Sequence, residues 1–192
     1  MLYRRLKIKN YIVLLIGKSG TGKSTIENIF KNKYGYTPVK SYTTRAPRFE
    51  NEDSHIFVTE NEYIAMKDDM CAYTEFDNHK YWATNKQVDE SDIYVIDPTG
   101  IDYFKTHYKG NKKIIAVELL AHKKTRYKRM VSRGDSVWTA IRRIRHDKKA
   151  FANSQPDLTI NANISDPSLV AENLYRSINM QKVILEALEH ER

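Results

Sequence analysis

The chain has 192 residues, 41% hydrophobic and 29% charged, with a formal net charge of +8, a size and composition that suit one α/β domain with a full core and are too small for two ordinary ones. Its longest apolar runs are five to six residues, far short of the roughly twenty that span a bilayer. A single cysteine, Cys71, and six histidines without ligand spacing leave no intrachain disulfide and no metal cluster, so a cytoplasmic protein without a membrane partner is expected.

Ile12 to Ile16 is an all-apolar run, as a strand buried on both faces requires. It leads directly into Gly17-Lys18-Ser19-Gly20-Thr21-Gly22-Lys23-Ser24, which satisfies GxxxxGK[ST]. Lys23 to Lys33 then carries Ile26, Ile29 and Phe30 at helical spacing. Strand, glycine loop and helix in that order point successive backbone N–H groups and a helix N-terminus at an anion. The loop also holds three of the seven glycines, which a plain turn would not combine with Lys23 and Ser24.

After Tyr34-Gly35-Tyr36, Val39 is expected to start a second strand leading into the extended loop Ser41-Tyr42-Thr43-Thr44-Arg45-Ala46-Pro47-Arg48. Arg45 and Arg48, three residues apart in an extended chain, can reach one oxyanion, and Ser41, Thr43 and Thr44 add hydroxyl donors. Residues 41–92 hold five basic and twelve acidic residues, so this pair stands out there. His55 to Val58 reads as a strand, Thr59 to Glu62 as a capping box opening a helix through Met66, and Tyr73–Phe76 with Lys80–Ala83 as a hairpin. Such short strands, with packed Tyr73 and Trp82, suggest a small insert at about 41–90. Ile93 to Asp97 returns to the core and puts a carboxylate at the C-terminal edge of a parallel strand, where it either helps to hold Mg²⁺ or caps the helix after Pro98. Lys113–Leu120 is another buried strand, Lys123–Arg133 a basic helix and Ser136–Ala152 a helix with Val137, Ile141, Ile144 and Phe151 on one side. Residues 123–149 contain eleven lysines or arginines against Asp135 and Asp147. A nucleic-acid surface is the alternative for this segment, but no nucleic-acid motif accompanies it. Leu158–Asn161 gives a last strand, and a helix from Pro167 closes the chain on a stripe of Leu174, Ile178, Leu185 and Leu188.

In that order, GKSGTGKST, SYTTRAPR, HIFV, Tyr81, IDPTG, RMVSRG with RRI, and DLTIN make the sequence similar to the guanylate kinase family of nucleoside monophosphate kinases over essentially its whole length. The resemblance implies a P-loop α/β fold: a parallel-sheet core flanked by helices (about 1–40, 91–133 and 151–192), an acceptor-binding insert (about 41–90) and a helical lid (about 134–150). It implies ATP as donor, bound by Gly17, Ser19, Gly20, Thr21, Gly22, Lys23, Ser24, Thr25 and Asn161, with Mg²⁺ at Ser24 and Asp97. Lys23, Arg45, Arg48, Arg133 and Arg143 are the implied catalytic cations, and Ser41, Arg45, Arg48, His55, Tyr81 and Asp97 the implied acceptor contacts. In an ungapped alignment the family's guanine-reading glutamate and serine fall at Ala72 and Ala83, so Glu75 and Thr84 are the nearby substitutes. The expected activity is phosphoryl transfer to GMP or dGMP by a monomer or homodimer. Another nucleoside monophosphate, a phosphorylated ribose, or a non-catalytic binding module of the same fold are the alternatives.

Overall fold

The computed structural model describes residues 10–47, 50–76, 78–152 and 154–190. In chain order the elements are β1 (Tyr11–Gly17), α1 (Lys23–Ile29), β2 (Tyr42–Thr43), β3 (Ile56–Phe57), α2 (Glu60–Ala65), β4 (Met70–Phe76), β5 (His79–Thr84), α3 (Asn85–Asp89), β6 (Ile93–Val95), α4 (Pro98–His107), β7 (Lys113–Leu120), α5 (Lys123–Ser132), α6 (Val137–Ala150), β8 (Leu158–Asn161) and α7 (Pro167–His190).

The core is a four-stranded sheet in the order β6-β1-β7-β8, parallel throughout. Every residue of β1 is buried, which is why its sequence is continuously apolar rather than alternating. Tyr11, Val13 and Leu15 pack with Ile26, Phe30, Leu174 and Ile178 of α1 and α7 and the turn that follows α1, while Ile12, Leu14 and Ile16 pack with Phe104 of α4 and Cys71, Ala72 and Ala83 of a second sheet. That sheet has the order β3-β2-β5-β4, mixed in direction and drawn from residues 42–84. Its Trp82 is fully buried and stacks on Tyr42 at 5.5 Å. Because all core strands run in one direction, the glycine loop that follows β1, Asp97 and Asn161 lie just beyond or at their C-terminal ends, along one edge.

Three local expectations are corrected. Val39 starts no strand: Pro38 makes a single parallel bridge to Ile93, and the chain then leaves the core for β2. Leu188 lies outside the buried stripe of α7, 52% exposed, because the helix runs on past the core that holds Leu174 and Ile178. Val137, the first residue of α6, is 49% exposed, and the buried residues of that helix are Ala140 and Asp147.

Candidate active site

Gly20 and Gly22 give the loop its shape. Both have positive φ, 79° and 102°, which L side chains rarely adopt. A Cβ on Gly20 would also lie 2.7 Å from the Arg126 carbonyl, so α5 approaches the loop backbone directly. Thr21 folds inward, its N–H and its hydroxyl both donating to the Lys18 carbonyl at 3.1 and 2.8 Å. The backbone N–H groups of Gly20, Gly22, Lys23 and Ser24 have no acceptor among the described residues, the open state expected of an anion cradle. The Lys23 ammonium donates to the Gly17 carbonyl. Burial lowers its pKa from the ordinary lysine value, and the nearby carboxylates of Asp97 and Asp147 offset part of that cost.

Two cavities border this loop. The larger, of about 670 Å³, has Ser19 and Asp97 in its lining, Thr74 and Glu75 of β4, and Arg142, Arg143, His146 and Asp147 of α6. The smaller, of about 310 Å³, is lined by Gly20 to Gly22, Thr25, Arg129, Arg133 and the chain leading into α7. Arg129 spans its wall, donating to the carbonyls of Thr21 and Ile164 at 3.2 and 3.3 Å. Asp135, in the turn between α5 and α6, holds Arg133 at 2.8 Å and Arg143 at 3.7 Å, so one carboxylate gathers an arginine from each cavity.

Beside the larger cavity the second sheet assembles a polar patch. Arg45 is 9% exposed and clasped by both oxygens of Glu52, at 2.8 and 3.2 Å, over the Phe57 ring. Glu52 above all, and to a smaller extent Tyr81, raises the pKa of the Arg45 guanidinium. Ser41 Oγ lies 2.9 Å from His55 Nδ1, and the His55 ring meets Tyr81 edge-on at 5.4 Å. Tyr81 pairs across the ladder with Thr74, which lines the cavity, so the patch and the cavity share a sheet face.

Most of the residues singled out from the sequence therefore lie at the loop, the patch or the two cavities. Asp97 precedes α4 without capping it through its side chain, and it faces the larger cavity. Arg48 lies outside the described residues. Thr84 is directed elsewhere: it caps α3 in a reciprocal box with Gln87, which occupies its hydroxyl. Asn161 accepts two bonds from Asn163 at the end of β8 and does not line the smaller cavity. Ala72 and Ala83 are 1% and 0% exposed, within the core. The residues at the site that the sequence pattern did not single out include Thr74, Arg126, Arg129, Arg142, His146 and Asp147. For Asp147 the available signal was its position as the lone acid of α6, among the arginines and lysines.

No protein-family model matches the sequence, and no curated protein matches it. Among solved structures, the fold is similar to that of guanylate kinase from Anaplasma phagocytophilum, with a TM-score of 0.59 and 16% identity over 90% of this chain and 86% of that one. At that identity the likeness is one of fold: a parallel α/β sheet flanked by helices.

Proposed function

We propose that this chain transfers the γ-phosphoryl group of ATP to the phosphate of a nucleoside monophosphate, GMP or dGMP in the first place. The observation that carries the reading is a glycine loop with open N–H groups bordered by two cavities, the larger of which adjoins, through Thr74 and its ladder partner Tyr81, the sheet face of an arginine-centred patch. A fold like that of a guanylate kinase supports it.

Such an acceptor needs no strong general base, because a phosphate monoester ionises for the second time near pH 6 and is already anionic at pH 7. The protein has instead to bring two anions together and to stabilise charge on the group in transfer. Lys23 and the loop N–H groups hold the donor phosphates, with Thr21 and Thr25 bordering the nucleoside side and Asn161 at its margin. Arg45 and Tyr81 receive the acceptor phosphate, Arg45 exchanging part of its Glu52 clasp for phosphate oxygens, and Arg48 joins them from its loop. Ser41 and His55 complete that patch. Arg133 and Arg143 approach from the lid, and α6 excludes water from the transfer. The Ser24 hydroxyl and the Asp97 carboxylate, neither engaged in capping α1 or α4, are the hard oxygen ligands suited to Mg²⁺. When bound, Mg²⁺ neutralises charge on the β- and γ-phosphate oxygens.

The acceptor base has a second reading, favoured by the burial of Ala72 and Ala83. Neither position reaches a ligand, whereas Thr74 and Glu75 face the larger cavity. Recognition through these two would suit a different base or a phosphorylated ribose. A coupled ADP-release assay against a panel of ribo- and deoxynucleoside monophosphates and phosphosugars tests both readings. Turnover with GMP or dGMP is expected. Turnover confined to another acceptor selects the second reading, and none with any acceptor overturns the phosphotransferase.

A further inference from the structure

We infer that Arg126 and Asp147 are positioning residues that brace the phosphate loop at Ser19, holding it in the shape that keeps its anion-facing N–H groups open. Ser19 is gripped by each of its polar groups. Its N–H and hydroxyl donate to the two Asp147 oxygens at 3.0 and 3.2 Å, and its carbonyl accepts from Arg126 Nε at 2.9 Å. An Arg126–Asp147 ion pair closes the ring, with the two residues only 3% and 5% exposed.

The next N–H groups in the chain that could meet phosphate, those of Gly20, Gly22, Lys23 and Ser24, are untouched, so the carboxylate grips the edge of the cradle without filling it. The same stretch of α5 fixes the following residue, since its Arg126 carbonyl closes the space beside Gly20. A buried ion pair is a weak source of stability, because desolvation consumes much of the attraction and an apolar pair of similar volume often does as well. What an apolar pair cannot supply is three directed bonds to one residue. The brace also carries register to the lid. Asp147 lies one helical turn beyond Arg143 on α6, and Arg126 one turn before Arg129 on α5, so the arginines of both cavities are referred to Ser19.

The link to donor binding rests on the proposed function, but the brace itself can be read without nucleotide. In the Arg126→Met/Asp147→Leu double variant, thermal stability should be retained while the dissociation constant for a non-hydrolysable ATP analogue rises about tenfold or more, the size expected for loss of charge-assisted bonds. The KM of the acceptor should change less than about twofold on the same scale. A folded double variant with wild-type donor affinity would overturn the inference. Should that variant not fold, amide hydrogen exchange on ligand-free Asp147→Ala decides: with the acceptor gone, the Ser19 amide should exchange about tenfold faster while β1 and β7 amides keep their protection. Unchanged Ser19 exchange would refute the brace. If the wild-type protein binds no ATP analogue, the phosphotransferase reading fails, and the Ser19 exchange comparison still tests the brace.

Discussion

Lys23 combines two demands that conflict in the absence of ligand. On the proposed function its ammonium is the charge the donor phosphates require, yet burial lowers its pKa and, among the described residues, it donates only to the Gly17 carbonyl. The folded protein therefore binds this proton less tightly than the unfolded chain, whose lysine titrates near 10.5. Stability should rise as pH climbs toward that value, because the unfolded state then gives up a proton the folded state already holds weakly. Lys23→Met removes the cost. Denaturant melts at pH 7 should show the variant more stable than wild type, with the gap narrowing toward pH 10, while phosphoryl transfer falls by at least about a hundredfold. A variant with near-normal turnover would exclude Lys23 from the chemistry. Arg45 offers a contrasting case: Glu52 neutralises it until an anion arrives, so Arg45→Ala should lose most turnover and, by stranding the buried Glu52 carboxylate, should also cost about 3–5 kcal/mol of stability in denaturant melts.

Among the elements, the two capping boxes separate structural from ligand-contacting hydroxyls. Thr59 with Glu62 opens α2, and Thr84 with Gln87 opens α3, each with both reciprocal bonds made. Since the Thr84 hydroxyl is committed to the cap, Thr84→Ala should cost about 1 kcal/mol of stability and leave acceptor KM values where they are. A shift in acceptor preference measured across nucleoside monophosphates would instead return Thr84 to the binding site. The hairpin of β4 and β5 works the same way at larger size. One face packs Ala72 and Ala83 against α4 and the core, and the continuation of that face brings Thr74 and Tyr81 to the cavity.

Across the whole molecule, charge is divided between the acidic second sheet and the basic α5 and α6, with the larger cavity between the β4 edge and α6. On the proposed function, donor and acceptor together would bring phosphates to the two cavities that Arg133, Arg142 and Arg143 line. Closure of α6 toward the second sheet is the response this distribution favours, since bound anions screen the arginines from one another. Small-angle scattering should therefore show a smaller radius of gyration with an ATP analogue plus GMP than without ligand. An unchanged radius would count against a moving lid. No helix among the described residues is long and apolar enough to cross a membrane.

Local chemistry was sufficient to specify the glycine loop between a strand and a helix, the strands at Ile12–Ile16, Lys113–Leu120 and Leu158–Asn161 to within a residue at either end, and the box at Thr59. Each follows from a short-range pattern: an apolar run or an apolar–polar alternation, glycines where φ must be positive, or a threonine three residues before a glutamate. Only the tertiary structure decided what long-range contacts settle. Val39 has a strand-like neighbourhood, but only its neighbour Pro38 makes a bridge, and Leu188 continues a helical stripe past the end of the core. Whether Asp97 faces a cavity or caps its helix depends on a side chain's direction. Asp147 is the clearest case, a lone acid on a basic helix whose partners Ser19 and Arg126 stand 128 and 21 residues away in the chain. No sequence period encodes that meeting; it exists because parallel strands deliver α5, α6 and the phosphate loop to the same edge of the sheet.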